Sequence, residues 1–207
     1  MFIIITNVAS SLFGYKTIGD VDSETKLKKI NNSPTKFKIS VMLILLEHLS
    51  IVFLAITLLI AFGSYNIILG IIWCVSRIGE GLIQIYDKKN YWRLLSTAIK
   101  YSNASGAEKD ALIDLGRRIL NTKASRFAFA QIIFSIGTFA YSLLFVIYEV
   151  VPILIGWFGI LASIVYGGGN VIFQRKSNFK ILWSIGGLLV LLFEIILGGW
   201  LLIFSWG

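Results

Sequence analysis

The feature that most constrains this chain is a series of long apolar runs set apart by short connections. The runs are Met1–Ile18, Ile39–Phe62, Asn66–Tyr86, Phe127–Tyr148, Pro152–Phe173 and Ile181–Trp206. About 20 consecutive apolar residues cross the hydrocarbon core of a bilayer as a helix, so each later run predicts one crossing. The expected fold is all-α: a polytopic membrane protein, a six-helix transmembrane bundle forming a single domain over residues 1–207. Mean hydropathy of +0.81 agrees. The first run is the weakest, since it is short and carries Asn7, Ser10, Ser11 and Lys16. Without it the count is five. A cleaved signal peptide is the poorer reading, because no basic residue precedes the run and no small-residue cleavage site follows it.

Eighteen of the 19 Lys and Arg residues lie in alternate connections. Lys16 to Lys38 follow the first run, Lys88 to Arg126 follow the third, and Arg175, Lys176 and Lys180 follow the fifth. The other connections and both termini hold none. The positive-inside rule therefore places the basic loops in the cytoplasm and both termini outside, in a cell (plasma) membrane. Net charge of +8 would suggest nucleic acid in a soluble protein. Its confinement to short loops points instead to anionic membrane lipids as partners, with no nucleic acid.

The longest connection, 87–126, predicts a helix of its own. Ser105 and Glu108 have the spacing of a capping box. Ala111, Leu112, Leu115, Ile119 and Leu120 form one apolar stripe behind it. The expectation is a cytoplasmic amphipathic helix over about 106–122, lying on the membrane surface. In the fifth run, Gly159, Ser163 and Gly167 recur every four residues. Small residues at that spacing let helix backbones approach, which suits packing within the bundle, a homo-oligomer seam or a membrane protein partner.

Charges inside apolar runs are costly, about 2.5–3.5 kcal/mol at a helix centre on insertion scales, so they are paired or functional. Arg77 and Glu80 are three apart and share a helix face. Measured from the turn near Ser64, Glu47 and Glu80 lie about 24–26 Å along their helices and Arg77 about 20 Å. Arg77, Glu80, Glu47 and His48 are thus expected in one layer, with Glu194 within reach of Arg77. Such a layer can fix helix register. It can also form a polar pocket for a headgroup, ion or small substrate, or a proton relay.

Enzyme signatures are lacking. There is no Gly-x-Ser-x-Gly elbow, no His-Glu-x-x-His and no phosphate-binding glycine loop after a strand. One Cys and one His do not make a Cys-only or His-rich metal centre. No catalytic residue, metal or cofactor is expected.

Three stretches carry a family resemblance: Ser76-Arg77-Ile78-Gly79-Glu80-Gly81, Gly156-Trp157-Phe158-Gly159-Ile160-Leu161, and Phe193-Glu194 through Trp200-Leu201-Leu202. In order and spacing they resemble the domain of unknown function 4386 family of bacterial and archaeal integral membrane proteins. The resemblance implies six membrane helices and singles out Arg77, Glu80 and Glu194, but implies no activity. Relatives usually carry basic residues before the first span, which this chain lacks. The leading expectation is a non-enzymatic ligand-binding or partner-scaffolding bundle with a buried Arg–Glu core. The alternative is a small transporter or channel-like protein using that cluster as a substrate or proton site. A membrane enzyme acting on a lipid comes third.

Overall fold

The computed structural model describes residues 2–13, 22–175 and 180–204. Lys16, Lys176, Trp206 and the end of the first run past Phe13 lie outside them. The described residues form seven helices: α1 (Phe2–Leu12), α2 (Ser23–Asn32), α3 (Pro34–Phe62), α4 (Ile67–Asn103), α5 (Gly106–Tyr148), α6 (Ile153–Arg175) and α7 (Lys180–Phe204). Among them, five are long and apolar enough to cross a membrane, α3 to α7.

One sequence expectation narrows and one changes. Over its described part the first apolar run folds as α1, 11 residues long. That is about 16 Å of helix, well short of the ~30 Å hydrocarbon core. Its polar face is turned inward: Thr6 and Ser10 are buried while Ile5, Val8 and Leu12 are exposed. The amphipathic segment 106–122 is not a separate surface helix either. It is the first part of the 43-residue α5, since nothing between Arg117 and Phe127 breaks a helix: no Pro and no Gly occur there. In the same way α4 runs on past Tyr86 to Asn103. The long basic connection thus shrinks to Ala104-Ser105, and Gly106 supplies the left-handed backbone (φ +54°) that reverses the chain.

The chain sorts into two compact units, Ile51–Gly81 with Ala128–Gly207, and Phe2–Ser50 with Leu82–Phe127. In the second unit α2 explains what becomes of the amphipathic stripe. Asp22 caps α2 by accepting from the amides of Glu24 and Thr25 at 3.1 and 3.3 Å. Pro34 opens α3 at the first helical position, where its missing amide costs nothing. Leu27 and Ile30 of α2 join Leu94, Leu95, Ala98 and Tyr101 of α4 and Ile119 of α5 in one core, with Leu112 and Leu120 packed against it. Gly116 lets this happen, since a Cβ there would stand 3.2 Å from Leu27 Cδ1. The stripe is therefore covered at Ile119 and in part at Leu112 and Leu120, while Ala111 and Leu115 stay exposed. Tyr101 Oη fixes the far side, donating to Glu24 Oε1 at 2.7 Å.

In the first unit, α3 and α4 meet at a tight turn where Asn66 Oδ1 accepts from the Leu69 amide at 3.1 Å. Asn66 Nδ2 also donates to Tyr148 Oη at 3.0 Å. The turn after α5 passes through Glu149, whose φ of 50° is left-handed. Trp73 stacks on Tyr141 with centroids 4.8 Å apart, and Phe193 and Leu197 of α7 belong to the same core. Gly159 sits where a Cβ would come within 2.6 Å of the Phe193 ring. A Cβ on Gly167 would meet Ser135 Cβ at 2.9 Å. Ser163, between them, is buried with its hydroxyl donating to its own helix at Ile160. The closest approach is at Gly186, where a Cβ would lie 2.5 Å from Tyr166 Cα. Only glycine permits α7 to come so near the α6 backbone.

Candidate functional site

Within the first unit, four helices bring polar groups around one guanidinium. α4 supplies Arg77 and Glu80, one turn apart on one face. Arg77 Nη1 donates to Glu80 Oε2 at 2.8 Å. Its Nη2 lies 3.7 Å from Glu194 Oε1 on α7, beyond a direct hydrogen bond but well within ion-pair range. α5 places the Phe134 ring under the guanidinium, with Cζ 4.5 Å from the centroid, a distance at which the ring's negative face attracts the cation. Side-chain exposure is 8% for Arg77 and 6% for Glu80, but 35% for Glu194. Glu194 is therefore the accessible rim of a buried pair.

Polar groups extend the site. Tyr166 of α6 donates its hydroxyl to Gln131 Oε1 of α5 at 2.8 Å. Tyr166 also lies within electrostatic reach of Glu80 and Glu194, and its hydroxyl neighbours Trp183 of α7. Asn170 stands one turn beyond Tyr166 on the same face of α6. Asn170 Nδ2 is a buried donor with no hydrogen-bond partner, whereas Trp183 Nε1 faces the Tyr166 hydroxyl. A buried donor left unmade costs about 1–3 kcal/mol, so Asn170 Nδ2 calls for an acceptor. One guanidinium faces two carboxylates, a ratio that favours a donor or cation rather than a further acceptor.

Of the residues expected from sequence, the structure joins Arg77, Glu80 and Glu194. Glu47 and His48 belong to the second unit. There Glu47 Oε1 accepts from Asn7 Nδ2 at 3.0 Å, and His48 Nδ1 donates to the Ile44 carbonyl at 2.6 Å. That bond turns the imidazole onto its own helix. Gln131, Phe134, Tyr166, Asn170 and Trp183 were not foreseen. A signal existed for two: Tyr166 and Asn170 are polar, four apart, in the middle of an apolar run.

As for cofactors, no group of three or more His, Cys, Asp or Glu side chains suited to a metal occurs among the described residues. Cys74 is buried.

The family model described as "Domain of unknown function (DUF4386)" matches residues 1–204. Neither a curated protein nor a solved structure matches the chain.

Proposed function

The chain belongs to the DUF4386 family, and we propose that it is a non-enzymatic membrane bundle that binds a small polar ligand at Arg77, Glu80 and Glu194. The observation that carries this reading is a guanidinium shared between two carboxylates, with a buried donor lacking an acceptor, Asn170 Nδ2, on a helix of the same cluster. A cluster that only locked helix register would be expected to satisfy its own polar atoms. The ligand class is a small molecule or headgroup that offers an acceptor to Asn170 Nδ2 and a donor to the carboxylates. Glu194, with a third of its side chain accessible, is the natural point of entry.

The reading is tested by mass spectrometry of what copurifies with gently extracted protein. Wild type is compared with Arg77→Lys, which keeps the charge but loses the planar fork, and with Glu194→Gln. The expected result is a small molecule or lipid held by wild type and depleted severalfold in both variants. Identical profiles in all three would sink the reading.

A second reading, a proton or cation site in a small transporter, draws on the two-to-one ratio of carboxylates to guanidinium. In that case Glu194→Gln abolishes uptake into vesicles driven by a pH gradient, and purified protein retains no organic ligand.

Orientation is part of the same proposal. The basic connections face the cytoplasm of a plasma membrane. A cysteine at the exposed Ser102, in a Cys74→Ala background, should react with an impermeant maleimide only from the cytoplasmic side. Labelling of intact cells from outside would reverse the topology.

A further inference from the structure

The first unit holds an open cavity at the reversal between α5 and α6. Its volume is about 310 Å³, and its walls are Glu149, Val150, Val151, Pro152, Ile153 and Trp200. That size lies at the lower end of the roughly 300–1,000 Å³ typical of small-molecule sites. Most of the wall is apolar, and two residues give it chemistry. Trp200 of α7 is half-buried and packs against the core of the unit. Glu149 is exposed. Among the described residues, no hydrogen bond or ion pair engages its carboxylate.

The unit has no cation to spare for it. Its described basic residues are Arg77, Arg175 and Lys180. Arg77 is committed to Glu80 and Glu194. Arg175 closes α6 and Lys180 opens α7, so each stands about 30 Å of helix away from the cavity wall. The helix ends do not neutralise Glu149 either. It follows α5, whose last carbonyls are partly negative, and precedes α6, whose first amides are partly positive. Those partial charges offset each other and leave the full charge of the carboxylate. Nor does turn geometry call for glutamate here. The φ of 50° at Glu149 is a conformation that glycine holds at less cost. A free carboxylate and an indole on one apolar cavity suit an organic ammonium. The carboxylate supplies charge, the ring face attracts the cation, and the apolar walls receive its carbon atoms. A bare divalent ion suits the cavity less, since calcium takes about six to eight oxygen ligands.

We propose that the cavity walled by Glu149 and Trp200 binds an organic ammonium group, carried by a lipid headgroup or present as a free small amine. It shares no residue with the Arg77 cluster, so either proposal can fail alone.

Two arms separate the sources, both on the full chain. In the first, the protein in neutral detergent is titrated in a calorimeter with choline chloride or ethanolamine hydrochloride, against sodium chloride at equal ionic strength. In the second, it is placed in vesicles of phosphatidylethanolamine, phosphatidylcholine and phosphatidylglycerol, and the lipids retained on gentle extraction are counted by native mass spectrometry. The variants are Glu149→Gln, Glu149→Gly, Trp200→Leu, and the exposed Asp110→Asn as a control for net charge. Glu149→Gly suits the left-handed backbone, so its Tm should equal or exceed that of wild type. Any binding it loses then belongs to the carboxylate. Saturable binding of the free amines by wild type, weakened roughly fivefold in the Glu149 and Trp200 variants and unchanged in Asp110→Asn, identifies a free ligand. Enrichment of the two ammonium lipids over phosphatidylglycerol, with the same dependence, identifies a headgroup. The proposal is overturned if wild type shows neither effect, or if Asp110→Asn loses as much as the Glu149 variants. It is equally overturned if Glu149→Gly or a folded Trp200→Leu binds as wild type does. Should Trp200→Leu fail to fold, the two Glu149 variants decide it.

Discussion

Arg77→Leu should lower stability by about 3–5 kcal/mol, the usual cost of removing one partner from a buried ion pair. The reason is what remains behind. Glu80 keeps a buried carboxylate whose 2.8 Å donor is gone. Glu194 loses its cation at 3.7 Å. The Phe134 ring loses the charge it faces. The decisive measurement is a comparison of Tm or detergent-unfolding midpoints for Arg77→Leu and for Arg77→Leu with Glu80→Gln and Glu194→Gln. Neutral amides in place of both carboxylates should restore more than half of the loss, because the penalty belongs to the stranded charges. If the triple variant is no more stable than the single one, the effect is a packing loss at Arg77, and the electrostatic account fails. Arg77→Lys should fall between, since it retains charge without the fork.

The contribution of Lys88 to stability, set by burial of its ammonium, should rise with pH between about 8 and 10.5. Lys88 has a folded value near 8 against the ordinary 10.5, and Lys123 is displaced in the same direction. Between those values the unfolded chain binds more protons than the folded one, so stability rises with pH. The penalty from Lys88 is fully present below about pH 8 and is relieved as pH climbs toward 10.5. A displacement of this size corresponds to about 3 kcal/mol, at about 1.4 kcal/mol per unit. Tyrosines and other groups titrate in the same range, so the quantity to read is the difference between wild type and Lys88→Met. That difference should shrink steadily from pH 8 to pH 10.5. A flat difference would mean that the ammonium is solvated in solution.

How much of this could be read from residues alone depends on the range of the interaction. Arg77, Glu80 and Glu194 could be grouped because two share a helix face and the third lies at a matching depth, and both follow from 1.5 Å per residue. The further neighbours of Arg77 could not. Gln131, Tyr166 and Trp183 sit on three other helices, and which face each helix turns inward is set by packing at glycines such as Gly186. The segment 106–122 was correctly expected to be helical and amphipathic, but its apolar stripe was assigned to lipid. Part of it is covered instead by α2, a ten-residue helix with few apolar side chains. It gives little signal of its own, yet its Leu27 fits against Gly116. The first run was legible as the weakest from its polar residues, and Thr6 and Ser10 form the buried face of its described helix.

The reversal at Ala104-Ser105-Gly106 bears on the order of folding. It joins two helical stretches whose facing residues, Leu94, Ala98 and Tyr101 on one side and Ile113 and Ile119 on the other, are near in sequence. Closing so short a loop costs little entropy, and contacts between near neighbours form fastest. This hairpin is the part of its unit best placed to assemble first. The Leu27 side chain, which must arrive from far earlier in the chain, would then dock on a surface already formed.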